Sequence, residues 1–210
     1  MRLVIFGAGG MGREAADLAR RSSAIGARYS EIVFAIDRPE GPIDGLPVLA
    51  PEEIDAEDEI CIALGSGADR RRLAERFAGR RFARVAAETA IVSRSARIGV
   101  GALLGDYSLV NNNVVVGDHF QANAFAQVSH DCRIGDFVTL APRVSCNGWI
   151  EIGSGVTIGA GAVVRNGRCG RPLRIGEGAV IGMGALVVRD VPPGAVLLAP
   201  SAQPKGEASV

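Results

Sequence analysis

The chain is poor in the residue types that build most metal and redox sites. Its 210 residues include two histidines, one tryptophan and four cysteines, and no two cysteines have the spacing of a metal-binding motif. Cys61, Cys132 and Cys146 fall in apolar segments, so we interpret them as reduced packing residues of a cytoplasmic protein. No metal cofactor is expected.

Neither sign of charge is in excess, and long apolar runs are absent. Lysine plus arginine and aspartate plus glutamate number 23 each, so no net charge favours binding to nucleic acid or to an anionic membrane. No run of 18 apolar residues occurs, which predicts no membrane span. Residues 1–6 resemble a strand and lack the long apolar core of a signal peptide. We therefore expect no nucleic-acid or membrane partner.

Glycine is abundant, with 28 residues, and the apolar residues recur with a period of six. Neither an α-helix, with a period of 3.6, nor an alternating strand, with a period of two, produces this repeat. A short strand followed by a bend does, and glycine suits the bend. Three such units predict an 18-residue coil that stacks about 4.8 Å from the next coil. The recurring apolar positions are Ala86, Val92, Ile98, Leu104, Val110, Val116, Ala122, Val128, Ile134, Leu140, Cys146, Ile152, Ile158 and Val164.

Residues 1–85 follow a different pattern, in which short apolar strands alternate with helical segments. Strands are predicted at 3–6, 31–36, 60–64 and 82–85, and helices at 13–21 and after Ser66, which can cap the second helix. This alternation predicts a small parallel sheet, one Rossmann-like half. We expect an α/β domain over residues 1–85 and an all-β solenoid over residues 86–210.

A glycine-rich turn joins the first predicted strand to the first helix. Its glycines allow a phosphate to approach the free N–H groups of the helix start. An acidic residue after the second strand can accept ribose hydroxyls, and the domain is too short for two mononucleotide halves. A nucleotide diphosphate is therefore the expected ligand, although the glycines could serve only a tight turn. The candidate substrate-binding residues are Gly7, Gly9, Gly10, Gly12, Asp37 and Arg38.

The two histidines, His119 and His130, fall on outward-pointing positions of their hexads, so we expect neither in the core. Two histidines stack on one prism face only when they lie one whole coil apart in the sequence, and these two lie closer than that. A three-histidine metal site is therefore not available. A carboxylate beside His130, that of Asp131, can fix the imidazole tautomer for proton transfer near neutral pH. From these residues alone, an exposed histidine in a bend is the simpler interpretation.

Several features together resemble the bacterial sugar acyltransferases with hexapeptide repeats. They are the glycine-rich N-terminus, the Ser-His-Asp-Cys segment at 129–132 and the hexads that begin at Ile152, Ile158, Ile175 and Ile181. That family includes sialic acid O-acetyltransferases and nucleotide-activated 4-amino-sugar N-acetyltransferases. The resemblance implies a left-handed parallel β-helix, acetyl-CoA as co-substrate, and a homotrimer with sites between neighbouring prisms.

The resemblance also implies roles for individual residues. His130 is the general base in this comparison, and Asp131 is the acidic residue beside it. The N–H of Gly148, one predicted coil further along the chain, would hold the thioester oxygen, although a bend glycine explains that position equally well. Some members have a second histidine near acetyl-CoA where this chain has Thr139. Thr139 and Ala160 are therefore candidate acetyl-CoA contacts.

One insertion interrupts the repeat, and we expect it to protrude from the solenoid near residues 165–174. Four of its residues are arginines, and guanidinium groups donate to phosphate oxygens in a planar fork. Arg171 and Arg174 are accordingly candidate ligands for the phosphates of CoA. A solvated loop without a ligand is an equally good interpretation of the same residues.

The combined prediction is an acetyltransferase that moves acetyl from acetyl-CoA to the amino group of a nucleotide-diphosphate-linked amino sugar. Attack is direct, without an acyl-enzyme. Two alternatives remain open at this point. The same base chemistry would serve O-acetylation of a sugar or sialic acid, and a non-catalytic nucleotide-sugar-binding solenoid would need no base. Hydride transfer is a weaker possibility because no nicotinamide-binding half is visible.

Overall fold

A small α/β sheet is followed by a prism of short parallel strands in the computed structural model, which describes residues 1–200. The end of the predicted solenoid domain, residues 201–210, lies outside the described residues. Within the described part, no helix has the length and apolar character needed to cross a membrane.

The N-terminal domain is a five-stranded parallel sheet with helices on both sides. Its elements are β1 (Arg2–Phe6), α1 (Gly10–Arg21), α2 (Ser23–Arg28), β2 (Glu31–Ala35), β3 (Val48–Leu49), a short 3-10 turn (Pro51–Glu53), β4 (Glu59–Ile62), α3 (Gly67–Arg76) and β5 (Arg81–Phe82). The strand order is β3-β2-β1-β4-β5. Helices α1 and α2 cover one face and α3 the other, which is why the central strand β1 is apolar on both faces.

Residues 85–197 wind into a triangular prism with three flat faces. Face 1 contains β6 (Val85–Ala86), β9 (Leu103–Leu104), β12 (Gln121–Ala122), β15 (Thr139–Leu140), β18 (Thr157–Ile158), β21 (Val180–Ile181) and β23 (Val196–Leu197). Face 2 contains β7 (Ile91–Val92), β10 (Leu109–Val110), β13 (Gln127–Val128), β16 (Ser145–Cys146), β19 (Val163–Val164) and β22 (Leu186–Val187). Face 3 contains β8 (Arg97–Ile98), β11 (Val115–Val116), β14 (Arg133–Ile134), β17 (Ile150–Ile152) and β20 (Leu173–Ile175).

The pairing register confirms the predicted coil length. Leu109 pairs with Gln127, for example, and Gln127 pairs with Ser145. The fold class is the predicted one, a small parallel sheet followed by a left-handed parallel β-helix. The recurring apolar residues from Leu104 to Val164 are buried in one continuous core.

The first coil departs from the predicted burial pattern. Val92 is 39% exposed, and Ala86 and Ile98 are only partly buried. These residues belong to the lowest strands of the three faces, so no further coil packs beneath them. The N-terminal domain covers part of the face 1 end instead, where Val85 joins the core that contains α1.

The N-terminal domain rests on face 1 through buried polar contacts. Arg70 of α3 is fully buried and donates to the carbonyl oxygens of His119, Leu64 and Phe137 at 2.8–3.1 Å. It also donates to the hydroxyl of Thr139 at 2.9 Å. Burial away from water lowers the pKa of this guanidinium to about 10. Arg70 therefore helps to join the two domains as a buried cation whose acceptors are all neutral oxygens.

Candidate active site

The turns along the three prism edges include an unusual run of side chains in a left-handed backbone conformation. Eight consecutive turns place a residue other than glycine in the left-handed region, with φ between 54° and 62°. Such a residue costs roughly 1–2 kcal/mol, and Asn and Asp tolerate the conformation best. The eight residues are Tyr107, Asn113, His119, Phe125, Asp131, Phe137, Arg143 and Trp149. In the outer coils the equivalent residues are mostly glycines, including Gly101, Gly155 and Gly161, so the costly side chains are confined to the middle of the prism.

His130 lies on the edge between faces 2 and 3, which we call edge 2–3 (residues 111–114, 129–132 and 147–149). Its side chain is 56% exposed, and its Nδ1 lies 2.8 Å from Oδ2 of Asp131. An ionised carboxylate only accepts, so Nδ1–H is the donor in this contact, and Nε2 is the ring atom left to take part in proton transfer. The predicted pair is thus in contact, with the ring accessible from outside the prism.

The Asp131 carboxylate is bonded at both oxygens. Oδ1 accepts from the Nδ2 group of Asn113 at 3.1 Å, while Oδ2 faces His130. The hydrogen bond to His130, and to a smaller extent the one from Asn113, hold the pKa of Asp131 below its usual value. The carboxylate therefore stays ionised beside the imidazole.

Gly148 lies directly beside the His130 ring, one coil further along edge 2–3. Its carbonyl oxygen accepts from the N–H of Gly167 at 3.0 Å, whereas its own N–H has no acceptor among residues 1–200. The indole of Trp149 meets the imidazole edge-on, with 6.3 Å between ring centres. The Gly148 backbone and the imidazole are thus in immediate contact on this edge.

Two clefts adjoin this edge and share part of their lining. A cleft of about 440 Å³ is lined by Asn113, Asp131 and Trp149 and extends to Arg174. A larger cleft of about 850 Å³ contains Arg174 as well and is lined by the inserted segment. The arginines of the larger cleft are Arg165, Arg168, Arg171, Arg174 and Arg189. The two clefts therefore meet at Arg174, between the carboxylate that bonds His130 and a concentration of guanidinium groups.

The inserted segment forms a tight hairpin on the surface. Arg168 and Arg171 exchange backbone hydrogen bonds at 3.0 and 2.9 Å, and the side chains of both are exposed. Arg174 lies on β20, and its Nε donates to Glu151 at 2.9 Å. Of the two candidate phosphate ligands, Arg171 therefore has no carboxylate partner among the described residues, whereas Arg174 is paired with Glu151.

The two other candidate acetyl-CoA contacts lie away from His130. Thr139 is buried on face 1, where its hydroxyl accepts from Arg70 and donates to the carbonyl of Gly65. Ala160 is half-buried in the turn between faces 1 and 2. The structure places neither residue on edge 2–3 of its own chain.

The expectation that His119 lies outside the core is wrong. It is 3% exposed, because the N-terminal domain covers the edge between faces 3 and 1. Its ring stacks on Phe137 with 5.1 Å between ring centres and meets Phe82 edge-on at 4.6 Å. Burial lowers the pKa of His119, so this histidine is a neutral packing residue of the domain interface.

The glycine-rich turn has two tight and two open positions. Gly7 has φ +106°, and a Cβ on Gly12 would lie 1.9 Å from the Gly7 carbonyl oxygen, so both are required by the turn. A Cβ on Gly9 or Gly10 would meet nothing within 4 Å. Helix α1 begins at Gly10 without a side-chain cap and without an acidic residue in its first turn. Its positive end is therefore open to an anion.

Asp37 and Arg38 follow β2 at the carboxyl end of the sheet, where both are exposed. The Asp37 carboxylate accepts from Nη1 of Arg76 at 2.7 Å. These residues and the glycine-rich turn belong to the domain that sits on face 1, whereas His130 lies on the edge opposite that face. Within one chain, the candidate nucleotide-binding and proton-transfer residues are on different sides of the prism.

Arg70 and Asn113 were not identified from the sequence. Arg70 stands in a run of three arginines, which suggests a solvated helix surface, but it lies three residues before the buried Leu73 on the same side of α3. Asn113 lies one coil before Asp131, and the coil register alone would have brought the two together. Among residues 1–200, no three His, Cys, Asp or Glu side chains cluster in a way that could hold a metal ion.

Comparisons with known proteins agree over both domains. Residues 2–77 match the family model described as the PglD N-terminal domain. GDP-perosamine N-acetyltransferase from Escherichia coli O157:H7 is 34% identical over 172 residues, which cover 78% of this chain and 77% of that protein. WeeI from Acinetobacter baumannii AYE superposes with a TM-score of 0.89 at 32% identity, covering 95% of this chain and 97% of the other. The acetyltransferase domain of PglB from Neisseria gonorrhoeae FA1090, in complex with acetyl coenzyme A, superposes with a TM-score of 0.85 at 32% identity. The superposition covers 97% of this chain and 98% of the other.

Proposed function

We propose, on the premise that this chain belongs to the hexapeptide-repeat sugar N-acyltransferase family, that it acetylates the amino group of a nucleotide-diphosphate-linked amino sugar with acetyl-CoA. The observation that carries the proposal is the hydrogen bond between His130 and Asp131 on an accessible prism edge. The similarity to a GDP-perosamine N-acetyltransferase and to an acetyl-CoA-bound acetyltransferase domain supports the two substrates.

The reaction follows from the arrangement on edge 2–3. The amine nitrogen attacks the thioester carbon while Nε2 of His130 takes its proton, and the carbonyl oxygen becomes an oxyanion that accepts from the Gly148 N–H. The tetrahedral intermediate then collapses, the carbon–sulfur bond breaks, and the imidazolium returns the proton to the departing sulfur. The products are the N-acetylated sugar and free CoA, and no covalent bond to the protein forms.

The donor is proposed to lie along the two neighbouring clefts. Its thioester would sit beside His130, and its phosphates would reach the guanidinium groups of the larger cleft. Arg171 and Arg174 are the assigned ligands, because planar guanidinium groups donate to phosphate oxygens in pairs. Thr139 is fully engaged with the N-terminal domain of its own chain, so we leave it out of the donor site.

The acceptor nucleotide is proposed to bind at the glycine-rich turn. The open positions Gly9 and Gly10 allow a diphosphate to reach the start of α1. Asp37 and Arg38 lie at the same end of the sheet and are placed to contact the ribose and base. The sugar would then extend from the N-terminal domain toward a prism.

That prism is proposed to belong to a neighbouring chain in a homotrimer. Face 1 carries the N-terminal domain, and His130 lies on the opposite edge, so a base from a second subunit is needed to reach the bound sugar. Exposed apolar side chains on faces 2 and 3 support contacts between prisms. They include Ile91, Val115, Val163 and Leu186.

A cytoplasmic location is proposed from the thiols. All four cysteines are unpaired, and Cys169 is exposed, which suits a reducing compartment. Burial raises the pKa of Cys61 to about 12 and that of Cys132 to about 11. These two thiols are therefore protonated packing groups and take no part in the proposed chemistry.

The proposal is tested by thiol release from acetyl-CoA against a panel of nucleotide-linked sugars, in matched pairs that carry an amino or a hydroxyl group at the same carbon. We expect release with an amino sugar and a product heavier by one acetyl group in mass spectrometry. Release with the hydroxy partner alone would establish O-acetylation instead. No release with any acceptor, despite nucleotide-sugar binding in calorimetry, would favour a non-catalytic binding solenoid.

A further inference from the structure

We propose that Asn113 is a positioning residue of the active site, whose amide holds the Asp131 carboxylate in the orientation that keeps the His130 ring in place. The contact belongs to the geometry of edge 2–3, and its catalytic meaning rests on the proposed function. Asn113 would touch neither substrate and would act through Asp131.

The two residues occupy the same position in successive coils. Asn113 has φ 59° and Asp131 has φ 58°, so their side chains leave the backbone in the same direction, one above the other. The Asn113 amide bonds Oδ1 of Asp131 at 3.1 Å and leaves Oδ2 to His130 at 2.8 Å. Without this bond, the partly exposed carboxylate would keep only one anchored oxygen and could rotate about its terminal torsion.

Asn113 is itself held from below. Its backbone N–H donates to the hydroxyl of Ser95 at 3.0 Å, and the N–H of Asp131 donates to the carbonyl oxygen of Asn112 at 3.0 Å. Hydrogen bonds therefore run upward from Ser95 through Asn113 and Asp131 to His130. This continuous support is what a fixed imidazole orientation requires.

A neutral donor is the appropriate group at this position. An amide stabilises the ionised carboxylate without adding charge, and it contributes to the lowered pKa of Asp131. A carboxylate at position 113 would repel Asp131, and a cation would compete with the imidazole for it. A change from amide to carboxylate therefore keeps the shape but removes the donor and adds repulsion, whereas glycine removes the donor without adding charge.

Asn113→Gly and Asn113→Asp test the role in turnover. Glycine favours the left-handed turn and removes the amide, whereas aspartate keeps the shape and tolerates the turn but cannot donate. We expect kcat to fall about tenfold in both, the lower end for lost outer-shell partners, with both KM values within twofold of native. Recovery of native kcat in Asn113→Asp would show that shape alone matters and would overturn the proposal.

A double-mutant cycle separates positioning from general support of the turn. If Asn113 acts through Asp131, adding Asn113→Gly to Asp131→Ala should change kcat by less than twofold. An undiminished tenfold loss in the Asp131→Ala background would overturn the proposal. A native kcat in Asp131→Ala alone would contradict the proposed function of the pair instead.

The deciding experiment does not depend on any substrate. The chain has only two histidines, so ¹⁵N-histidine spectra are assigned with one variant, His130→Ala. We expect Asn113→Gly to lower the population of the Nδ1–H tautomer of His130, while His119, buried at the opposite edge, serves as an internal control and does not change. Unchanged His130 signals in Asn113→Gly would overturn the positioning role whatever reaction the protein catalyses.

Discussion

His130 and Gly148 are neighbours across successive coils of edge 2–3, and only a hydrogen atom at position 148 leaves room for the imidazole. A Cβ on Gly148 would lie 2.6 Å from Cε1 and 2.7 Å from Nε2 of His130. Real Cβ contacts are not this short, so any side chain would push the ring out of place. The glycine therefore fixes the position of the imidazole, which is the proposed base.

Gly148→Ala should accordingly impair turnover without unfolding the chain. The group that it displaces is the exposed end of a side chain, so the prism can remain intact. Misplacement of a catalytic group by about 1 Å costs on the order of 100-fold in kcat, and steady-state kinetics with circular dichroism would measure both effects. Gly26→Ala, where a Cβ meets nothing within 4 Å, is the matched control and should be fully active. A Gly148→Ala enzyme as active as that control would refute this account of the glycine.

Gly9→Val should affect the acceptor and leave the donor alone. Gly9 has extended backbone angles and open space around its Cβ, so valine fits but blocks the approach of a diphosphate to α1. We expect KM for the sugar nucleotide to rise at least about tenfold, the scale of one lost charge-assisted bond, with KM for acetyl-CoA unchanged. Gly12→Val should instead unfold the N-terminal domain, because its Cβ would overlap the Gly7 carbonyl. A rise confined to acetyl-CoA would place the donor on the N-terminal domain.

Neutralising Arg171 and Arg174 together should weaken acetyl-CoA binding by about 1–3 kcal/mol, the scale of hydrogen bonds to charged groups. The difference should shrink as salt rises, because both side chains are exposed. Titration calorimetry at low and high ionic strength measures both. Arg72→Ala, an exposed arginine of α3, is the control. Unchanged affinity of the double variant at low salt would show that this loop is only a solvated surface.

Arg70→Met should destabilise the chain far more than Arg72→Met on the same helix. Methionine fills a similar volume but leaves several buried carbonyl oxygens and the Thr139 hydroxyl without their donor. We expect a loss of roughly 2–4 kcal/mol in the free energy of unfolding, measured by denaturant titration. Equal stability of the two variants would mean that water replaces the guanidinium at no cost.

The solenoid was predictable because the apolar residues of the sequence recur with the period of its strands and bends. The inward side chains of each coil must meet those of the next, so a strict spacing of six also fixes the strand register, as the pairing of Gln127 with Ser145 shows. The handedness was not predictable from the residues, since the general preference for right-handed crossovers points the other way. It came from the resemblance of the hexads to a known family.

The errors arose where the two domains meet. The hexad position of His119 predicts a side chain that points away from the prism axis, and the structure has it so. The N-terminal domain nevertheless covers this side chain and buries it. Local sequence cannot reveal that a distant helix will place Arg70 against the same edge. Contact between His130 and Asp131 could be expected because adjacent residues need no tertiary information, but the role assigned to the pair came from the family resemblance. Asn113 required the coil register to be applied to side-chain chemistry.

The most direct test of the account is the turnover of His130→Asn, measured as thiol release from acetyl-CoA with a nucleotide-linked amino sugar and checked by product mass. Asparagine retains a polar group of similar size but cannot accept and return the proton near neutral pH. The account predicts a fall in kcat of at least about 100-fold, a smaller loss in Asp131→Asn, and an unchanged fold and oligomeric state. Native turnover by the His130→Asn protein would contradict it.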